Sequence, residues 1–129
     1  MSYVNHVTPI PESLDSAGAA SLLCAGVTTY KALKVANVKA GDYVAIPGAG
    51  GGLGHLAVQY AVNMGLKVIA IDTGDAKREL VKKLGATEWI DFKQSKDLVA
   101  DIKAASQGLG PHASIVVATT AAAYTQAVQ

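Results

Sequence analysis

Seven residues from Gly48 to Gly54 include five glycines, and they separate a short apolar run from a stretch with helical spacing. A strand, a glycine-rich turn and a helix in this order can bring backbone N–H groups close to a phosphate, because the amino end of a helix carries partial positive charge. Glycine suits such a turn because it has no side chain to block the approach and adopts positive φ at little cost. The turn therefore predicts a dinucleotide-binding site.

The spacing of the glycines departs from the usual fingerprint. The residues fit Gly48-x-x-Gly51-x-x-Gly54, and they also fit Gly48-x-x-x-Gly52-x-Gly54, which is typical of short-chain dehydrogenases. That second class usually carries its fingerprint at the start of the chain, whereas this turn begins at residue 48. A glycine-rich turn that closes an ordinary α/β unit without a ligand is a further alternative.

An acid follows the turn at a useful distance. Asp72 ends the next apolar run, 18 residues after Gly54, where a carboxylate accepts hydrogen bonds from the adenosine ribose and repels a 2′-phosphate. Lys77 lies in the first turn of the following helix and is expected to reach the same ribose. Asp72 thus favours NAD over NADP, although the neighbouring Arg78 is a basic residue of the kind that accommodates a 2′-phosphate. Phe92 is either one wall of an adenine slot or a core residue.

The elements around these residues alternate between strand and helix. Apolar runs near residues 43–46, 67–72, 88–92 and 114–118 are separated by helical stretches, a pattern that parallel strands require. We expect an α/β fold, a Rossmann-type doubly wound parallel sheet of about four strands in the order 3-2-1-4, truncated at its C-terminus. Residues 1–37 are predicted to be a helical hinge segment, with Thr28 capping its second helix, and residues 38–129 the NAD-binding domain.

Composition excludes several classes of partner. The 129 residues are 50% hydrophobic and carry 11 basic against 10 acidic side chains, so nothing in the charge attracts nucleic acid or a membrane surface. No apolar run approaches the roughly 20 residues that span a bilayer. The single cysteine, Cys24, indicates a reducing compartment, and we expect a cytoplasmic protein.

Three segments together carry a family resemblance. These are Leu23-Cys24-Ala25-Gly26-Val27-Thr28-Thr29-Tyr30-Lys31-Ala32-Leu33-Lys34, the glycine turn, and Ala57-Val58-Gln59-Tyr60-Ala61. The chain resembles the zinc-dependent medium-chain alcohol dehydrogenases of the tetrameric microbial type from about Ile10 to Val117. The resemblance implies that Gly51, Gly52 and Leu53 contact the pyrophosphate, with Gly48 and Gly54 completing the turn. It also implies that Asp72 and Lys77 bind the ribose and that Phe92 lies near the adenine.

The resemblance further implies that Cys24 is the third protein ligand of a catalytic zinc ion and that Thr28 packs beside the nicotinamide. It identifies the chain as an internal fragment of an oxidoreductase that converts primary or secondary alcohols to aldehydes or ketones with NAD and zinc, as a homotetramer. The other zinc ligands lie outside this sequence, so the chain alone is expected to be inactive and free of stoichiometric zinc. A zinc-free, NADP-dependent quinone or enone reductase and a non-catalytic nucleotide-binding module are the alternatives.

Overall fold

The structure is a computed structural model that describes residues 3–128, apart from the side chain of His6. Its centre is a parallel sheet made of β1 (Tyr43–Pro47), β2 (Lys67–Asp72), β3 (Glu88–Asp91) and β4 (Ala113–Ser114). The strand order is β3-β2-β1-β4, which confirms the predicted topology. The connecting helices are α3 (Gly52–Asn63), α4 (Asp75–Lys83) and α5 (Leu98–Ala105), and α6 (Ala121–Ala127) follows β4.

Alternate residues of the two central strands point to opposite faces of the sheet, and both faces are covered. On one face, Val44, Ile46 and Val68 are fully buried against α3 residues such as Val58. On the other face, Ala45, Ile69 and Ile71 pack against partly buried residues of α5. This double burial explains why β1 and β2 read as continuous apolar runs. Because β1 and β2 are parallel and β1 leads directly into α3, the carboxyl ends of both strands lie beside the amino end of α3.

The last strand is shorter than expected. The sequence predicts a strand over residues 114–118, whereas the regular part of β4 contains two residues. Pairing with β1 nevertheless continues, since the amides of Ile115 and Val117 donate to the carbonyls of Ala45 and Pro47 at 2.9 and 3.0 Å. In the described sheet β4 pairs with β1 alone, so fewer hydrogen bonds stabilise a regular strand in this segment.

A continuous helical segment precedes the sheet. It consists of α1 (Ser16–Ser21), a π-helical stretch (Leu22–Gly26) and α2 (Val27–Val35), preceded by a short 3₁₀ turn at Val4–His6. The carboxylate of Asp15 caps α1 by accepting the amides of Ala17 and Gly18 at 2.9 and 2.8 Å. No helix among residues 3–128 is long and apolar enough to cross a membrane.

The prediction that Thr28 caps a second helix is wrong, because the chain does not leave the helical conformation at Gly26. That glycine has φ −63° and ψ −56°, and it is buried against α3. A Cβ atom at Gly26 would lie 3.0 Å from the Tyr60 hydroxyl oxygen. The Thr29 hydroxyl donates to the backbone carbonyls of Ala25 and Gly26, at the end of the π-helical stretch. Gly26 thus serves close packing against Tyr60 and does not mark a helix end.

Candidate functional site

Asp72 is the centre of a hydrogen-bonded group at the carboxyl end of β2. Its Oδ1 accepts the amide of Thr73 and the ammonium of Lys77, both at 2.8 Å, and its Oδ2 accepts the amide of Gly50 at 2.9 Å. The side chain of Asp72 is 7% exposed and that of Lys77 is 45% exposed. The carboxylate is therefore held rigidly, with its charge balanced by a lysine that borders the solvent.

Gly50 contributes to this group in a way that the sequence reasoning missed. A Cβ atom at Gly50 would lie 2.6–2.8 Å from the Cβ, Cγ and Cδ atoms of Lys77. The aliphatic part of Lys77 thus crosses directly over Gly50 on its way to Asp72. The excess of glycines in the turn was the available signal, since Gly50 has no place in either fingerprint spacing.

The outer two glycines of the turn serve close packing. Gly48 has φ +87°, and a Cβ atom there would lie 2.8 Å from the backbone nitrogen of Ala118. A Cβ atom on Gly54 would overlap the carbonyl oxygen of Gly48 and the backbone of Ala49. Gly54 thus brings α3 against the end of β1, and Gly48 lets the turn pass close to the backbone at residues 117–118. Both positions need glycine for steric reasons.

The inner glycines face open space instead. A Cβ atom on Gly52 would meet no atom within 4 Å, and one on Gly51 would meet only the Gly48 carbonyl oxygen, at 3.3 Å. The hydrogen-bond ladder of α3 begins at His55, whose amide donates to the carbonyl of Gly51. The amides of Gly52, Leu53 and Gly54 belong to the first turn and have no intrahelical acceptor. The unobstructed amino end of α3 therefore fits a phosphate.

A second carboxylate lies beside Asp72, at the carboxyl end of the neighbouring strand β3. Asp91 ends β3 in register with Asp72, and its Oδ2 accepts the Thr73 hydroxyl at 3.2 Å. Desolvation raises the pKa of Asp91, but hydrogen bonds from the Lys93 amide, the Thr73 hydroxyl and the amides of Gly74 and Gln94 outweigh it and hold the pKa below its ordinary value. The Asp91 carboxyl thus stays ionised while it fixes the turn after β2.

Arg78 and Phe92 lie near the same edge without bonding to the Asp72 carboxylate. Arg78 pairs weakly with Asp75, at 3.8 Å, and lines a cleft of about 350 Å³ between α4 and β3. The side chain of Phe92 is 45% exposed, and its amide donates to the carbonyl of Asp72 at 3.2 Å. Phe92 is therefore a surface residue at the site and not part of the core.

The predicted zinc ligand lies apart from this hydrogen-bonded group. Cys24 is an exposed free thiol in the middle of the π-helical stretch, and Thr28 is exposed one turn later. Neither side chain takes part in a hydrogen bond or an ion pair within residues 3–128. The described part of the chain contains no group of three His, Cys, Asp or Glu residues able to hold a metal ion. Cys24 alone does not make a zinc site.

Comparison with known proteins agrees with this geometry. The family profile described as "Zinc-binding dehydrogenase" matches residues 52–129. The chain is 52% identical over 122 residues to an alcohol dehydrogenase of Schizosaccharomyces pombe, covering 95% of this chain and 35% of the relative. It is 51% identical over 126 residues to alcohol dehydrogenase 1 of Emericella nidulans, covering 97% and 36%. The chain thus spans about a third of the length of these curated relatives.

Solved structures show the same fold. The alcohol dehydrogenase of the hyperthermophilic archaeon Aeropyrum pernix superposes with a TM-score of 0.76 at 34% identity, covering 88% of this chain and 34% of that one. A quinone oxidoreductase of Pseudomonas syringae pv. Tomato DC3000 superposes with a TM-score of 0.78 at 29% identity, covering 83% and 33%. With the profile match over more than half of its residues, the chain belongs to the zinc-binding dehydrogenase family.

Proposed function

We propose that this chain is the NAD-binding portion of an alcohol dehydrogenase, which oxidises primary or secondary alcohols to aldehydes or ketones by hydride transfer to NAD. The observation that carries the proposal is the Asp72 carboxylate, which is 7% exposed and anchored at the end of β2 next to the open amino end of α3. The names of the curated relatives support the choice of alcohols as substrates.

Asp72 selects the cofactor through its remaining capacity to accept hydrogen bonds. A carboxylate offers about four acceptor positions, and Gly50, Thr73 and Lys77 occupy three of them in the structure. One ribose hydroxyl donates to the free acceptor position. The second hydroxyl can donate to Oδ1 only when the Lys77 ammonium moves from Oδ1 to a ribose oxygen. A 2′-phosphate would bring two further negative charges to a carboxylate with little water around it, which disfavours NADP.

The remaining cofactor contacts follow from the turn. The amides of Gly52 and Leu53, in the first turn of α3, donate to the pyrophosphate, and the open space over Gly52 admits it. Gly51 contacts the pyrophosphate through its partly exposed backbone, since its own amide already donates to the Gly48 carbonyl at 3.0 Å. Gly54 sets the distance between strand and helix, and Gly48 lets the turn pass close to the backbone of Ala118. Phe92 supplies an exposed aromatic face for the adenine.

The catalytic contribution of this chain is confined to the hinge segment, residues 1–37, which precedes the NAD-binding domain at 38–129. We assign Cys24 as one zinc ligand and Thr28 as a neighbour of the nicotinamide, with the other ligands supplied from outside residues 3–128. Zinc, when bound, supplies a Lewis acid that stabilises the alkoxide form of the alcohol. The whole protein is proposed to be a cytoplasmic homotetramer.

A direct binding measurement tests the proposal. The 129-residue chain is titrated into NADH and NADPH while nicotinamide fluorescence is followed. We expect binding of NADH at least about tenfold tighter than that of NADPH, a difference of roughly 1.4 kcal/mol. Preference for NADPH would instead favour a reductase of the quinone oxidoreductase kind, and binding of neither would overturn the proposal.

A further inference from the structure

His55 directs two donors at one carbonyl oxygen in the glycine turn. Its backbone amide donates to the Gly51 carbonyl at 3.0 Å, and its ring nitrogen Nδ1 lies 3.0 Å from the same oxygen. A carbonyl oxygen only accepts hydrogen bonds, so the second contact requires the ring proton on Nδ1. The imidazole thus acts as an extra anchor for the residue that immediately precedes α3.

The anchored carbonyl shares a rigid plane with an amide of the turn. The Gly51 carbonyl and the Gly52 N–H belong to one peptide group, which is planar, and they point in opposite directions. The surrounding sequence Gly50-Gly51-Gly52 gives the backbone unusual rotational freedom. Holding the carbonyl with two donors therefore fixes the direction of the Gly52 N–H, which belongs to the open end of α3.

The same helix repeats this kind of bond further along. The Gln59 side chain donates to the His55 carbonyl at 3.1 Å, and the Asn63 side chain donates to the Gln59 carbonyl at 2.8 Å. Those two carbonyls lie inside α3, whereas Gly51 is its N-cap residue. His55 is thus the one member of this series that acts on the turn, and Gln59 is its matched control.

We propose that His55 is a positioning residue for the cofactor, which holds the Gly51–Gly52 peptide so that its N–H faces the pyrophosphate. The inference rests on the proposed function, because it assumes that a pyrophosphate binds at this turn. It predicts that His55 affects ligands with a pyrophosphate and leaves recognition of the adenosine ribose at Asp72 unchanged.

The test compares ADP-ribose with adenosine, which lacks the pyrophosphate. Binding of both to the 129-residue chain is measured by calorimetry or NMR for the wild type, His55→Ala, His55→Gln and Gln59→Ala. We expect His55→Ala to weaken ADP-ribose binding by about fivefold, the value of one hydrogen bond, with adenosine unchanged. His55→Gln should restore binding, because a glutamine amide reaches the same i−4 carbonyl in this helix, and Gln59→Ala should bind as the wild type does.

Three outcomes overturn the inference alone: His55→Ala binds ADP-ribose like the wild type, it weakens both ligands equally, or Gln59→Ala has the same effect. If the wild type binds neither ligand, the proposed function fails together with it. A measurement without ligand is independent of binding: the NMR signal of the Gly52 amide should shift in His55→Ala and stay in place in Gln59→Ala. An unmoved Gly52 signal in His55→Ala also overturns the inference.

Discussion

Replacing Asp72 with asparagine removes one charge without changing the size of the side chain. The three donors around the carboxylate make the consequence calculable. If the asparagine oxygen accepts hydrogen bonds from Thr73 and Lys77, its NH₂ group must face the Gly50 amide. Two donors then face each other at the place where Asp72 accepts the Gly50 amide in the wild type. The partly buried Gly50 N–H then lacks an acceptor.

The cost follows from the two interactions that are lost or weakened. An unsatisfied partly buried amide costs about 1–3 kcal/mol. Lys77 is 45% exposed, so weakening its ion pair costs less than about 1 kcal/mol. We expect Asp72→Asn to lower the free energy of unfolding by roughly 2–3 kcal/mol, which for a domain of this size lowers Tm on the order of 10 °C.

Thermal unfolding followed by circular dichroism measures this change, and Lys77→Met is the matched control. The methionine keeps most of the aliphatic chain over Gly50 and removes only the ammonium, so its loss should stay below about 1 kcal/mol. Equal losses in the two variants would show that the ion pair, and not the Gly50 amide, dominates. An Asp72→Asn variant as stable as the wild type would refute the reasoning.

The same substitution also changes cofactor selection. Hydrogen bonds to a charged acceptor are roughly twice as strong as neutral ones, so NADH binding should weaken by about fivefold or more. NADPH binding should improve, because repulsion of the 2′-phosphate disappears. Fluorescence titration of both cofactors gives the ratio, and an unchanged ratio would contradict the role of Asp72 at the ribose.

Three further predictions concern other positions. Gly52→Ala should leave Tm unchanged or raised while weakening NADH binding by roughly tenfold. Gly54→Ala should lower the free energy of unfolding by at least about 2 kcal/mol, because its Cβ atom overlaps backbone atoms. Equal thermal stability of the two variants would contradict this. Hydrogen bonds from the amides of Gly18 and Ala17 hold the pKa of Asp15 below its ordinary 3.8, so its stabilising effect is present above that pH and is lost as pH falls through the lower folded value. Tm of the wild type should therefore fall more steeply than that of Asp15→Asn once the pH is lowered below 3.8. Gln107 has φ +60°, so Gln107→Gly should stabilise the chain by up to about 1 kcal/mol in denaturant unfolding, and a loss of stability would argue against strain there.

We predict that the isolated chain is inactive, because Cys24 alone cannot hold a catalytic zinc ion. Cys24 has no cluster of further ligating side chains around it among residues 3–128, so we expect no stoichiometric zinc by metal analysis and no oxidation of ethanol. Turnover by the 129 residues would show that ligands beyond this chain are dispensable.

Local patterns were sufficient for the first three strands and most of the helices. The apolar runs that become β1 and β2, and their alternation with helical stretches, already imply parallel strands, because hydrophobic spacing and the need for crossovers act over short distances along the chain. The strand order follows from the Rossmann class of the sheet and not from these runs alone. The residue types of Gly48–Gly54 and of Asp72 likewise predict a nucleotide-binding end of the sheet. These features depend on chemistry that can be read one segment at a time.

Other features arise from contacts between distant segments. The Gly50 amide reaches Asp72 across 22 residues, and the stem of Lys77 occupies the space that a side chain at Gly50 would fill. The Tyr60 hydroxyl lies where a side chain at Gly26 would start, so this glycine serves close packing within a continuous helical segment and does not end a helix. Spacing along the chain does not encode which atoms meet in three dimensions, so the packing roles of Gly50 and Gly26 became visible only once the sheet and helices were assembled.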